Sequence, residues 1–379
     1  MKVMTVVGTR PEIIRLSRVI SRLDSTEGIK HVLVHTGQNY DRSLNEVFFE
    51  DLGLREPDYT LGVDTSSLGT LLGGTLIAAE QVMVSERPDA VLVLGDTNSC
   101  IAALMARRLK IPTYHMEAGN RSFDLNVPEE TNRKMVDHVA DFNLVYTEHA
   151  RRNLLSEGLH PRRIIKTGSP MREVLTAYRK QIDASTVLGE FNLKAGGYFL
   201  ASCHREENVD SPDRLKMLLD CLVTVHQRFR KPVFVSTHPR TRKRLEALPN
   251  WSEPEGITFA EPLGFHDYNK LQISAACCLS DSGTIAEEST ILGFPAVTLR
   301  DAIERPEALD TGGIIMTGLN ADDVVAAVKL SMDAYSSVGT VSPVTPEDYL
   351  IENASERAVK FIMSTARRHH QWESIRVDQ

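Results

Sequence analysis

Short runs of uninterrupted apolar residues alternate with stretches of helical period along most of the chain. VMTVV (3–7) precedes a helical pattern that opens at Pro11, and HVLVHT (31–36) precedes SLNEVFFEDLG. AVLVLG (90–95) precedes SCIAALMARRLK; IPTYHME (111–117) and FNLVYT (142–147) follow, each with a helical pattern behind it. Runs that are apolar throughout, rather than alternating, suit parallel strands covered on both faces. The βαβα rhythm therefore predicts a doubly wound α/β sheet. The rhythm breaks after IIKTGSPMREVL (164–175), and a second series begins with YFLASC (198–203), PVFVST (232–237), GITFAE (256–261), ACCLSDSG (276–283) and PAVTL (295–299). Two α/β domains follow, 1–170 and 171–355, with a closing amphipathic helix from 356. A length of 379 residues fits two cores better than one.

Ligands bind open α/β sheets at the carboxyl ends of the strands. Two such domains facing a cleft would bring Gly8–Arg10, Asp96, Glu117, His204, His238 and Ser282 toward one site, since each ends an apolar run. Single carboxylates in those places, Asp96 and Glu117, with Glu129 and Glu130 soon after, do not read as a solvated charged face.

Composition adds mostly exclusions. No apolar stretch reaches the ~20 residues of a membrane span, and the apolar run in MKVMTVVGTRPE is too short for a signal peptide. Five cysteines without metal spacing suggest free thiols in a reducing cytoplasm, with no metal bound. A net charge of −8 without a basic stripe argues against nucleic acid as a partner.

Three motifs carry candidate chemistry. In GTRPE (8–12), Gly8 lets backbone approach a ligand, Arg10 can fork onto a phosphate and Pro11 suits the first helical turn; a plain capped turn with a surface arginine is the bland alternative. In DSGTIAEES (281–289), Ser282, Gly283 and Thr284 offer N–H and hydroxyl groups where a diphosphate would sit at a helix start. Glu287 and Glu288 lie within reach of ribose hydroxyls, although a capping box using Glu287 explains half of that pattern. In SCHREENVD (202–210), His204 suits a phosphate or acid–base contact, whereas Cys203 points the other way, into the core. No GxGxxG occurs, so no nicotinamide cofactor is signalled.

Taken in order, GTRPE, GDTNS, MEAGNR, VPEETNR, TGSPM, CHREEN, THPR, DSGTIAEES and RDAIERPE make the chain resemble the non-hydrolysing UDP-N-acetylglucosamine 2-epimerases over nearly its whole length. The resemblance implies two Rossmann-like domains in the GT-B arrangement, with the last helix crossing back to the first domain. It implies a homodimer with no metal, no organic cofactor and no membrane partner. Arg10 and His204 would contact the diphosphate, with Ser282 and Gly283 on phosphate. Asp96, Glu117 and Glu129 would be the acid–base carboxylates. Tyr268 would lie near the uracil, Glu288 on the ribose and Arg305 near the nucleotide. Arg15 replaces a lysine common in the family, and Glu206 stands where an arginine is common; the charge reversal at Glu206 argues against carrying over the effector regulation of some bacterial members.

The wording of HTGQNYD, GDTNSC, HMEAGNR and HREENVD is most similar to the branch that converts UDP-2-acetamido-2,6-dideoxy-L-talose to UDP-N-acetyl-L-fucosamine for capsule and O-antigen. The alternatives are a UDP-N-acetylglucosamine/UDP-N-acetylmannosamine 2-epimerase and a GT-B glycosyltransferase.

Overall fold

The computed structural model describes residues 1–37, 49–124, 126–249, 251–337 and 345–375. The expected helix at 43–53 and the motif HTGQNYD lie for the most part outside them. The chain divides into two compact units, Met1–Thr176 with Asp348–Gln379, and Ala177–Glu347. The join thus falls after Thr176 rather than at 170, and the returning segment starts at Asp348.

The first unit is built on β1 (Lys2–Val7), β2 (Lys30–His35), β3 (Tyr59–Thr60), β4 (Ala90–Leu94), β5 (Thr113–Met116), β6 (Phe142–Val145) and β7 (Ile164–Lys166). Their order is β3-β2-β1-β4-β5-β6-β7, and every pairing is parallel. The second has β8 (Phe199–Ser202), β9 (Val233–Ser236), β10 (Ile257–Ala260), β11 (Cys277–Ser280), β12 (Ala296–Thr298) and β13 (Ile315–Met316), ordered β10-β9-β8-β11-β12-β13. These are parallel too. Strands β1, β4, β8 and β11 are buried almost end to end, which is why their sequences carry no polar alternation.

Pro11 starts the helix Arg10–Ser25, where it has no N–H to lose, and Ile13, Leu16, Val19, Ile20 and Leu23 bury one stripe. The helix Leu68–Glu86 is different. Its 19 residues are long and apolar enough to cross a membrane by length and composition, contrary to the expectation above. Its inner side, Ala79, Val82 and Met83, packs with Met4, Val6, Val91 and Val93 of the sheet. Its outer side leaves Ile77 and Val84 more than half exposed.

The helix Ala354–Thr365 follows the second unit in sequence but belongs to the first. It lies against the helix Arg10–Ser25 and buries Ala358, Val359 and Ile362. Arg22 Nε donates to Ser355 Oγ at 2.9 Å, and the rings of Tyr114, Phe142 and Phe361 cluster beneath it. The buried Tyr114 hydroxyl lies 2.6 Å from Thr365 Oγ1, whose own proton goes to the Phe361 carbonyl at 2.7 Å. Removing only the acceptor strands a buried hydroxyl, which costs about 1–3 kcal/mol, whereas removing both groups is nearly neutral. Thr365→Val should therefore destabilise the first unit by about that amount in urea unfolding. Adding Tyr114→Phe should restore most of the loss; equal costs for the single and double variants would contradict the pairing.

Candidate active site

In both sheets the strand order reverses next to the first strand of the unit, between β1 and β4 and between β8 and β11. Successive crossovers leave on opposite faces there, and the loops part at the carboxyl ends. The side chains singled out by sequence gather at these points, each set within its own unit.

In the first unit Glu12 bridges the parting loops. Its carboxylate accepts from Gly8 N at 3.0 Å and Thr9 Oγ1 at 2.8 Å, after β1, and from Ser99 Oγ, after β4. It is 1% exposed, and burial outweighs its hydrogen bonds and raises its pKa to about 7. Leu94 pairs with Met116, so Asp96 and Glu117 leave neighbouring strand ends. Arg133 Nε and Nη2 reach Asp96 Oδ2 at 2.8 and 2.6 Å. Arg133 Nη1 also donates to Glu130 at 2.9 Å, and Glu130 accepts from Ser122 N and Oγ at 3.0 Å. Glu117 pairs with the buried Arg15 and accepts from Asn120 Nδ2 at 3.5 Å. Its φ is +64°, a left-handed backbone that is rare for a side chain of this kind and recurs where function demands it. Glu129 opens the helix Glu129–Val139, half-buried, four residues before Arg133. Arg10 is half-buried at the start of its own helix.

In the second unit Asp281 plays the bridging part. Fully buried after β11, it accepts from His204 N at 3.0 Å, Arg205 N at 3.1 Å and Asn208 Nδ2 at 3.1 Å, all after β8. His204 Nδ1 lies 3.6 Å from the same carboxylate, and the His204 ring sits 5.5 Å from that of His238, after β9. Arg205 Nη2 lies 3.8 Å from Glu304, and a Cβ at Gly283 would approach that guanidinium to 3.3 Å. Ser282 Oγ and Thr284 Oγ1 are 2.9 Å apart, just before the helix Ile285–Leu292. Tyr268 bonds Ser202, and burial together with nearby Glu288 pushes its phenol pKa well up. Glu288 accepts from Gln272 Nε2 at 2.6 Å.

One sequence expectation changes here. Glu287 forms no capping box; it makes a buried ion pair with Arg305 at 2.8 Å, and Thr284 gives the helix no side-chain cap. That pair places Arg305 beside the 281–289 segment. Glu206, the charge departure, pairs with Arg240 at 2.6 Å. Arg133, Glu130, Glu12 and Asp281 have structural parts that the sequence reading did not give them. The available signal was spacing: Glu130 and Arg133 share a helix face with Asp137.

The profile of the UDP-N-acetylglucosamine 2-epimerase family matches residues 21–363. The chain belongs to this family. It is thus a UDP-sugar 2-epimerase, an isomerase with two parallel-sheet domains and GT-B-like neighbours. The structure of the UDP-N-acetylglucosamine 2-epimerase from Rickettsia bellii is 44% identical, with a TM-score of 0.90 over 98% of each chain. That of the Methanocaldococcus jannaschii enzyme, in complex with UDP-GlcNAc and UDP, is 36% identical, with a TM-score of 0.88 over 96% of this chain and all of that one. The UDP-2,3-diacetamido-2,3-dideoxy-D-glucuronate 2-epimerase of Pseudomonas aeruginosa is 34% identical over 335 residues, 88% of this chain and 92% of that protein.

Glu12 gives this epimerase a pH signature. Its folded pKa of about 7 stands above the ordinary 4.5, so between those values the folded chain holds a proton that the unfolded chain releases. Stability from this group therefore falls as pH rises across that window, then levels off. Glu12→Gln mimics the protonated acid, its amide facing the Ser99 hydroxyl. Its stability relative to wild type should rise between pH 5 and pH 8 by on the order of 2–3 kcal/mol in urea unfolding. A difference independent of pH would refute the assignment.

Proposed function

We propose that this epimerase inverts C2 through anti elimination of UDP and a 2-acetamidoglycal intermediate. The C2 proton of an N-acetylhexosamine is not next to a carbonyl, so direct removal would leave an unstabilised carbanion. Loss of UDP as the proton leaves avoids that: the C2–H electrons form the C1–C2 double bond, and the C1–O pair departs with the diphosphate. Return reverses the electron flow, with the proton delivered to the opposite face of C2 and the C1–O bond remade. Two carboxyl groups are needed, one per face. The observation that carries this reading is the pair Asp96 and Glu117 at neighbouring strand ends, each beside an arginine. Glu129 is the third acid–base candidate. Arg10, Arg15, His204, Ser282, Gly283 and Thr284 are assigned to the UDP-sugar, with donors for the leaving diphosphate among them. Glu288 is assigned to the ribose, Tyr268 to the uracil and Arg305 to its vicinity.

For the sugar we propose UDP-2-acetamido-2,6-dideoxy-L-talose, giving UDP-N-acetyl-L-fucosamine. Motif wording supports it, and a relative named for a diacetamido-glucuronate shows that family membership alone does not fix the sugar. Asp96→Asn and Glu117→Gln should each lower kcat by about 10²–10⁴ and leave UDP affinity little changed. The wild type in D2O should place deuterium at C2 and act faster on the L-talo/L-fuco pair than on UDP-N-acetylglucosamine. Near-normal rates in both variants would sink the carboxylate assignment. Preference for UDP-N-acetylglucosamine would select that alternative, and sugar transfer without C2 exchange would select the glycosyltransferase.

The homodimer is likewise our proposal, supported by the exposed outer side of the helix Leu68–Glu86. A helix apolar all round is normally covered all round, yet here Ile77 and Val84 lie open with Gly73 on the same side. A second copy bringing the same face would cover them. Ile77→Glu should turn a dimer into a monomer in sedimentation velocity; a wild-type monomer would refute the proposal.

A further inference from the structure

Two residues before Glu117, inside an apolar strand, lies His115, which is wholly buried. Its Nε2 is 2.7 Å from the carbonyl of Gly95, the residue before Asp96. Its Nδ1 is 2.9 Å from Asp137, which is also wholly buried. Asp137 accepts as well from Gly119 N, at 3.2 Å to each oxygen, two residues after Glu117. One ring nitrogen thus faces the Gly95 carbonyl, and the other faces Asp137. Through Asp137 the ring therefore links the peptide that precedes Asp96 to the Ala118–Gly119 peptide, the second after Glu117. Arg121 Nη1 holds the far side of Asp137 at 2.7 Å and is itself forked onto Glu157. Asp137 sits on the helix Glu129–Val139, whose Arg133 reaches Asp96 and whose first residue is Glu129.

An apolar side chain at 115 would fill the strand without desolvating an ionisable ring, so packing alone does not call for histidine. We infer that His115 and Asp137 are positioning residues, which fix Asp96 and Glu117 relative to each other and to the helix that begins with Glu129. The inference rests on the proposed carboxylate pair. Both residues are wholly buried, and each acts through backbone near a proposed carboxylate, Gly95 before Asp96 and Gly119 after Glu117. Misplacement of a reacting group by about 1 Å can cost 10²-fold in rate, so the tie has a kinetic consequence that mere folding would not have.

Asparagine and glutamine separate the two links. The asparagine amide stands near Nδ1 and keeps Asp137; the glutamine amide stands near Nε2 and keeps Gly95. His115→Asn and His115→Gln should each lower kcat about 10- to 100-fold, with KM and UDP affinity within about threefold of wild type, below the melting temperature. Released glycal should rise relative to epimer. The deciding readout is a double-mutant cycle. With Asp96→Asn already in place, His115→Asn should lower kcat less than about threefold further, because it acts through Asp96. A full-sized further loss, or wild-type kcat in both histidine variants, overturns the inference. Should His115→Asn fail to fold, His115→Gln with Glu117→Gln gives the same cycle. If Asp96→Asn and Glu117→Gln are themselves fully active, the carboxylate assignment fails first, and those single variants show it.

Discussion

Where a parallel sheet sends neighbouring chains to opposite faces, the two strand ends part and their backbone amides lose mutual partners. A buried carboxylate closes that gap in each domain. Glu12 draws Gly8, Thr9 and Ser99 together after β1 and β4, and Asp281 draws His204, Arg205 and Asn208 together after β8 and β11. The two solutions differ in direction: Glu12 reaches forward from the β1 loop, and Asp281 reaches back from the β11 loop. Burying a carboxyl group is costly unless hydrogen bonds compensate. Both groups are surrounded by donors, and both lie within a few residues of side chains that the proposed chemistry uses. The cost of burial is thus incurred where geometry matters most.

The proposed reactive carboxylates depend on this frame but are not part of it. Asp96 and Glu117 remain partly open while Glu12, Glu130, Asp137 and Asp281 are enclosed. Each open carboxylate has an arginine against it, and each arginine is nearly buried. Arg15 suits its place better than a lysine would, because a planar fork can serve Glu117 while its stem lies in the core. The left-handed backbone at Glu117 adds local strain of about 1–3 kcal/mol. It persists because the residues on either side are tied: Met116 accepts from Gly95 N at 2.9 Å, and Gly119 donates to Asp137.

Much of the fold was legible because parallel strands covered on both faces leave long apolar runs. β1, β4, β8 and β11 stand out for that reason, whereas β3 and β13, two residues each, are too short to leave a pattern. The helix Leu68–Glu86 escaped because it is apolar on every side and shows no stripe. In the site, Asp96 and Glu117 could be read as carboxylates ending apolar runs. Their partners could not. Arg133 lies 37 residues from Asp96, and Arg15 lies 102 from Glu117, so only folding brings them together. His115 sits among apolar neighbours and reads as core. Glu287 shows the opposite error: local spacing suggested a cap, and a distant arginine claimed it.

The loop from Glu117 to Glu129 shows how three carboxylates on different elements can be held in one geometry. It could wander, since its described residues before Glu129 lie in no helix or strand. Instead it is pinned at successive points. Gly119 donates to Asp137, and its carbonyl accepts from Asn153 at 3.0 Å. Arg121 is locked between Asp137 and Glu157, and Ser122 is held by Glu130. Gly119 has φ +81°, and a Cβ there would run into the carbonyl of Ala150, so only glycine lets the loop lie this close to the helix Glu148–Ser156. Two of these pins, Asp137 and Glu130, belong to the helix that Glu129 begins. The loop therefore cannot shift Glu117 without straining the element that carries Glu129. A pair of groups meant to work on opposite faces of one carbon needs that kind of coupling, because an error in their separation falls directly on the proton transfer.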